Sequence, residues 1–158
     1  MARPNPPELR RASVPAEQAA RHRHDQSVFH RLLSYHQAIA RQVTEIEGGI
    51  ETVTRSDNLE LVALIQDHAR AMHRRMEEGF GLRHWDPAFA EIFAQADKVH
   101  MEIESLPDGV RVRETSEDPN VILLIRAHGA VVSAFVAGGA KVAAKESPLP
   151  EAYKRIAS

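Results

Sequence analysis

Apolar residues recur at intervals of three and four along two stretches of the chain. The first runs from Asp57 to Gly79 and aligns Leu61, Leu64, Ile65, His68, Met72 and Met76; the second runs from Asp118 to Gly139 and aligns Val121, Leu124, Ile125, His128, Val132 and Val136. That spacing predicts two helices, each with one buried stripe. Ser56-Asp57 and the run from Thr115 to Pro119 supply N-cap signals, and Gly79, Gly81 and Gly139 supply stops. Ahead of each helix the period falls to two. Ile39, Arg41, Val43 and Glu45 alternate with neighbours of opposite character, Gly48-Gly49 turns the chain, and Ile50, Thr52 and Thr54 return. Val99, Met101 and Ile103 then alternate, Pro107-Asp108-Gly109 turns, and Val110 and Val112 return. These are two hairpins. A shorter helix precedes each one. The first is capped by Asp25, runs to about Gln37, and carries Phe29, Leu32, Leu33 and His36 on one face; the second is opened by Asp86-Pro87 and faces inward with Phe89, Ile92 and Phe93.

The two halves superpose without a gap when the chain is shifted by 60 positions, matching 25–79 to 85–139. Phe29 meets Phe89, Gly49 meets Gly109, Ser56 meets Ser116, Leu64-Ile65 meets Leu124-Ile125, His68 meets His128, and Gly79 meets Gly139. The fold class expected is α+β: two helix–strand–strand–helix units in tandem, related as an internal duplication. Pooling the hairpins gives one four-stranded antiparallel sheet, with the long helices packed on one face and against each other. One domain over 25–140 suits a chain of 158 residues. Residues 1–24, with four prolines, five arginines and no apolar period, read as a disordered arm. Residues 141–158 read as a loosely attached tail.

Composition narrows the function classes. A net charge of -2 argues against an electrostatic nucleic-acid binder. No apolar run is expected to reach bilayer-spanning length, so no membrane partner is expected. The arginine-bearing N-terminus lacks an apolar segment behind it, so the cytoplasm is the expected compartment, or export if the native chain is longer. There are no cysteines, which excludes disulfides, thiolate metal sites and thiol nucleophiles; histidine is enriched instead, with nine. No nucleophile elbow or triad spacing is present, and the reading leaves open whether any reaction is catalysed.

The candidate chemistry therefore rests on histidines that fall on apolar stripes: His36, His68 and His128. A histidine on an inner helix face is often a core residue bonded to a carbonyl or an acid. The functional alternative is a ligand set. Three imidazoles from three helices suit Zn or Cu, with Asp67, Asp97 and Glu102 as candidates to orient the rings. A second arrangement is haem b held without covalent attachment by His68 and His128, or by one of them with Met72. His73 is five positions from His68 and so points away from the stripe. His22 and His24, in the sequence RHRHD, are a short pair on the arm. The expected function is a small protein that holds a metal ion or cofactor for sensing, storage or handling. The rival is an interaction module without cofactor, as a homodimer.

The signature Thr115-Ser116-x-Asp118-Pro119 followed by Leu124-Ile125-x-x-His128, with its earlier copy at Ser56-Asp57, Leu64-Ile65 and His68, resembles a family of short bacterial proteins. The resemblance spans roughly 25–140 and implies the domain alone. No activity, cofactor or catalytic residue comes with it. Many members carry export signals, which this chain lacks as written.

Overall fold

A computed structural model describes residues 6–78, 83, 85–147 and 149–155. Its elements are α1 (Pro6–Ser34), a 3-10 turn (His36–Ala38), β1 (Ala40–Ile46), β2 (Gly49–Arg55), α2 (Leu59–Glu78), α3 (Pro87–Ala94), a second 3-10 turn (Ala96–Lys98), β3 (His100–Leu106), β4 (Gly109–Thr115), α4 (Pro119–Gly138) and α5 (Ala140–Ala143). The α+β class and the four-stranded antiparallel sheet are as expected. From the first 3-10 turn to α2, every bound recurs 60 positions later in the stretch from the second 3-10 turn to α4.

The sheet has the order β1-β2-β4-β3. At its centre β2 and β4 run antiparallel, and Thr52 pairs with Val112, its own counterpart in the other unit. A local two-fold axis therefore passes between those two residues. Reciprocal bonds mark the same symmetry: the Ser56 N–H donates to the Asp108 carbonyl at 3.0 Å, and the Ser116 N–H to the Gly48 carbonyl at 2.9 Å. The central strands come so close at Gly49 and Gly109 that a Cβ on either would lie 1.9 Å from a carbonyl oxygen, of Glu114 or of Thr54.

Strand alternation sends Ile50, Thr52, Thr54, Val110, Val112 and Glu114 to one face, beneath the helices. The opposite face is solvated and carries ion pairs, Arg113 to Glu51 at 2.7 Å and Arg111 to Glu104 at 2.6 Å. The long helices are exchanged across the axis: α2 rests mainly on β4 and β3, and α4 mainly on β2 and β1. They make little direct contact with each other, contrary to the expected helix pairing. The apolar stripes do their packing downward: Val121, Leu124 and Ile125 of α4 are fully buried, as are nearly all of Leu61 and Ile65 of α2. Each such side chain contributes on the order of 1.5–3 kcal/mol.

Four sequence expectations need correction. First, α1 begins upstream of Asp25, so the segment read as an arm is helical from Pro6. Ala, Glu, Gln and Arg dominate 16–24 and favour helix even without an apolar period. Asp25 is not a cap; it is buried and accepts from Arg75 of α2, Nη2 at 2.7 Å and Nε at 3.1 Å. Second, the working cap of α2 is Asn58, whose Oδ1 accepts from the Glu60 N–H at 2.9 Å, while Ser56 Oγ donates to the Ala38 carbonyl. Asp118, its counterpart, caps α4 by accepting from the Asn120 N–H. Asp86 precedes α3 with its carboxylate turned to Ser147 and Arg83 instead. Gly79 and Gly81, expected to stop α2, lie outside the described residues. Third, the tail is attached. Tyr153 is buried against Ile92 and Leu124, donates to Glu91 and accepts from Gln95. Fourth, α4 is long and apolar enough to cross a membrane by length and composition, with a mean hydropathy of 1.9. The embedded Arg126 and His128 concealed that length; in this fold α4 packs on the sheet.

Candidate functional site

The gap between α2 and α4 is not filled. It encloses a cavity of about 150 Å³, floored by the sheet and roofed by Phe29, Leu32 and Leu33 of α1. His36, His68, Met72 and His128, the residues singled out from sequence, all line it. So do two charged residues that sequence reasoning passed over, Arg41 and Glu114. The signal for both was present. Arg41 alternates with Ile39 and Val43, and Glu114 continues the inward period of Val110 and Val112, so each is a charge at an inward strand position.

His68 and His128 occupy equivalent places on the two long helices, and their settings match. The His68 ring stacks on Phe29 with centroids 5.8 Å apart, and the His128 ring meets the edge of Phe89, the counterpart of Phe29, at 4.9 Å. Phe135 joins the two pairs, 6.0 Å from each phenyl ring. Burial pushes His68 down to about 4, against opposing pulls from Asp25 and Asp67. Burial also pushes His128 down to about 4, helped by Arg41 and His68. Both rings are thus neutral at physiological pH. In each ring Nδ1 is buried with no hydrogen-bond partner among the described residues.

The sheet floor adds polarity without cancelling it. Arg41 on β1 donates to Ser133 Oγ at 3.1 Å and, at 3.4 Å each, to Thr54 Oγ1 and the Gly129 carbonyl. Burial lowers it to about 10, opposed by Glu114. Burial raises Glu114 on β4 to about 7, opposed by Arg41. The two charges feel each other without forming an ion pair, and Glu114 Oε2 is buried without a partner among the described residues. The two-fold symmetry is broken here: the counterpart of Arg41 is Met101 and that of Glu114 is Thr54, all four lining the cavity. One symmetric shell therefore holds an asymmetric polar lining.

His36 stands apart. Its Nδ1 donates to the Val136 carbonyl at 2.7 Å, satisfying one of the last carbonyls of α4. The ring lies against Gly139, whose φ of 67° and lack of a Cβ permit the approach: a Cβ there would fall 2.5 Å from the imidazole. The three imidazoles expected to share a metal do not converge. Among the described residues the one group of three His, Asp or Glu ligand atoms within 4.8 Å of one another is His24, Asp25 and Asp67. Asp67 bonds His24 at 3.1 Å rather than orienting a cavity imidazole. Glu102 pairs with His100 on the solvated face of the sheet, and Asp97 is exposed in the second 3-10 turn. His73 pairs with Glu77 at 3.5 Å, outside the core as expected. The cavity, at about 150 Å³, is smaller than the roughly 300–1,000 Å³ typical of pockets for larger ligands.

Comparison with protein-family models, with curated proteins and with solved structures yielded no match.

Proposed function

We propose that the protein binds a small, largely apolar molecule between its exchanged helices, with His68, His128, Arg41 and Glu114 gripping its polar end. The observation that carries this reading is a cavity of about 150 Å³ in which three lining side chains, His68, His128 and Glu114, each keep a buried polar atom unpartnered among the described residues. Each such atom costs about 1–3 kcal/mol. Three of them offset a large part of a typical stability of about 5–15 kcal/mol. A ligand that turns those atoms out to the cavity surface and bonds them recovers that cost. Apolar cavities of about 150 Å³ take up benzene-sized molecules, and Met72, Met101, Phe135 and Val132 line the remainder of this one.

A transition metal is the second reading. It is favoured by the two neutral imidazoles, which are the form a metal requires, and opposed by the neighbouring Arg41 and by the lack of a converging third ligand. One experiment separates the readings. Benzene, phenol, p-cresol and indole are titrated into protein whose metal content has been measured, and thermal shifts are followed. A saturable shift for phenol or p-cresol exceeding that for benzene, and lost in His68→Leu/His128→Leu, supports the organic ligand. Absence of any shift, with one equivalent of retained metal that the same double substitution releases, overturns it in favour of the metal.

A further inference from the structure

We propose that His24, Asp25 and Asp67 form a separate divalent-metal site between α1 and α2, of a kind that takes Zn(II) with water completing the shell. One ligand atom from each residue lies within 4.8 Å of the other two. His24 Nε2 and Asp67 Oδ2 are 3.1 Å apart. Tetrahedral zinc with bonds of about 2.0–2.1 Å sets neighbouring ligand atoms about 3.3 Å apart, so this pair already stands at ligand spacing. The more exposed His24 and Asp67 side chains close the set by small adjustments toward the fixed Asp25.

Asp25 supplies the second, independent observation. Its side chain is 4% exposed, and its Oδ1 has no hydrogen-bond partner among the described residues. A carboxylate oxygen in that state, beside an imidazole and a second carboxylate, is a ligand waiting for a cation. The other oxygen accepts two bonds from Arg75, which fixes the carboxylate as an outer-shell partner does at metal sites. Arg74 approaches Oδ1 only to 4.0 Å, and its side chain is half exposed, so it swings toward solvent when a cation arrives. The two arginines oppose a cation and the two carboxylates offset them. His24 and Asp67 are open to solvent, with side-chain exposures of 60% and 35%, which leaves an entry path and room for water. The donor set of one nitrogen and two oxygens suits Zn or its neighbours rather than Ca or Mg.

The site shares no ligand with the cavity, although Asp25 and Asp67 act on His68 through space. The test uses the full chain, stripped with a chelator and titrated with Zn(II) by calorimetry, with Co(II) absorption as a probe of coordination. Wild type is expected to bind one equivalent and to give the visible bands of tetrahedral Co(II). His24→Ala and Asp67→Asn are each expected to weaken binding about 100-fold or more, since even outer-shell losses cost 10–100-fold. Both residues are exposed enough for the variants to keep the wild-type circular dichroism. His68→Leu/His128→Leu is expected to leave Zn(II) affinity unchanged. Failure of wild type to bind, binding that neither His24→Ala nor Asp67→Asn weakens, or loss of binding in the cavity double variant would each overturn the proposal.

Discussion

Replacing His68 and His128 by leucine is expected to stabilise the empty protein while abolishing its binding. Leucine is close to histidine in volume and carries no polar atom. Each replacement removes a buried Nδ1 that has no partner among the described residues, a gain of about 1–3 kcal/mol. Against that stands the ring contact with Phe29 or Phe89, worth about 0.5–1.5 kcal/mol. The net per site runs from a loss of about 0.5 kcal/mol to a gain of about 2.5 kcal/mol, the upper end equivalent to a rise in Tm of up to about 10 °C in a chain of this length. The pH dependence provides a second, sharper reading. Burial depresses both folded-state values from 6.5 to about 4. Between those values the unfolded chain takes up protons that the folded chain refuses, so wild-type stability is fully present above about pH 6.5 and is lost as pH falls toward 4. The loss is roughly 3 kcal/mol for each ring at most, less where water enters the cavity, and the two rings do not simply add because His68 lowers the affinity of His128 for a proton. The assay is urea unfolding at steps from pH 7.5 to 4. A double variant that shows the wild-type slope between pH 6.5 and 4, or that loses more than about 1 kcal/mol at pH 7.5, would refute the reasoning, for it would mean that the imidazoles are satisfied core groups.

Other parts of the fold give equally direct expectations. Leu124→Ala, at a position with no exposed surface, is expected to cost about 2–5 kcal/mol in denaturant unfolding. Gly49→Ala and Gly109→Ala each drive a Cβ into a backbone carbonyl of the facing central strand, and each is expected to cost about 3 kcal/mol or more; near-wild-type stability in either would contradict the β2–β4 register. Tyr153→Phe removes the hydroxyl shared by Glu91 and Gln95, and is expected to cost about 1–3 kcal/mol and to raise proteolytic sensitivity after Ser147.

The local architecture was legible because periodicity, turns and caps are short-range properties. Both hairpins, both long helices and the 60-residue register follow from residues such as Gly48-Gly49, Asp108-Gly109 and the paired Leu-Ile-x-x-His motifs. The helix exchange was not legible. Nothing in α2 says that its stripe fits β4 better than the adjoining β2, because each floor mixes apolar with polar inward residues and only the global geometry chooses. The long α1 was hidden by the same cause in reverse: among the described side chains its buried apolar residues, Val28 and Leu33, stand near its C-terminal end, and the sequence upstream carries no apolar period. For the candidate site, the sequence singled out His36, His68, His128 and Met72, and the fold brings all four to one cavity. The shared metal they suggested depends on angstrom distances that a stripe does not encode, and His36 is diverted to the end of α4. Arg41 and Glu114 were missed because a charged residue in a short strand is ordinarily assigned to the solvated face.

The exchange of helices also sets a schedule for synthesis. When the first hairpin and α2 leave the ribosome, α2 has no floor to lie on, and the inner edge of β2 is an open row of backbone donors and acceptors. At about 5–20 residues per second the next 60 residues take roughly 3–12 s to appear. Through that interval the nascent half is an adhesive edge with a bare amphipathic helix, and another nascent half is as good a partner as its own successor. Two chains that meet then hold the pieces to trade units and close the same sheet twice, so the crowding of nascent chains on a polysome is a hazard that the finished fold, with its central edges paired, does not carry.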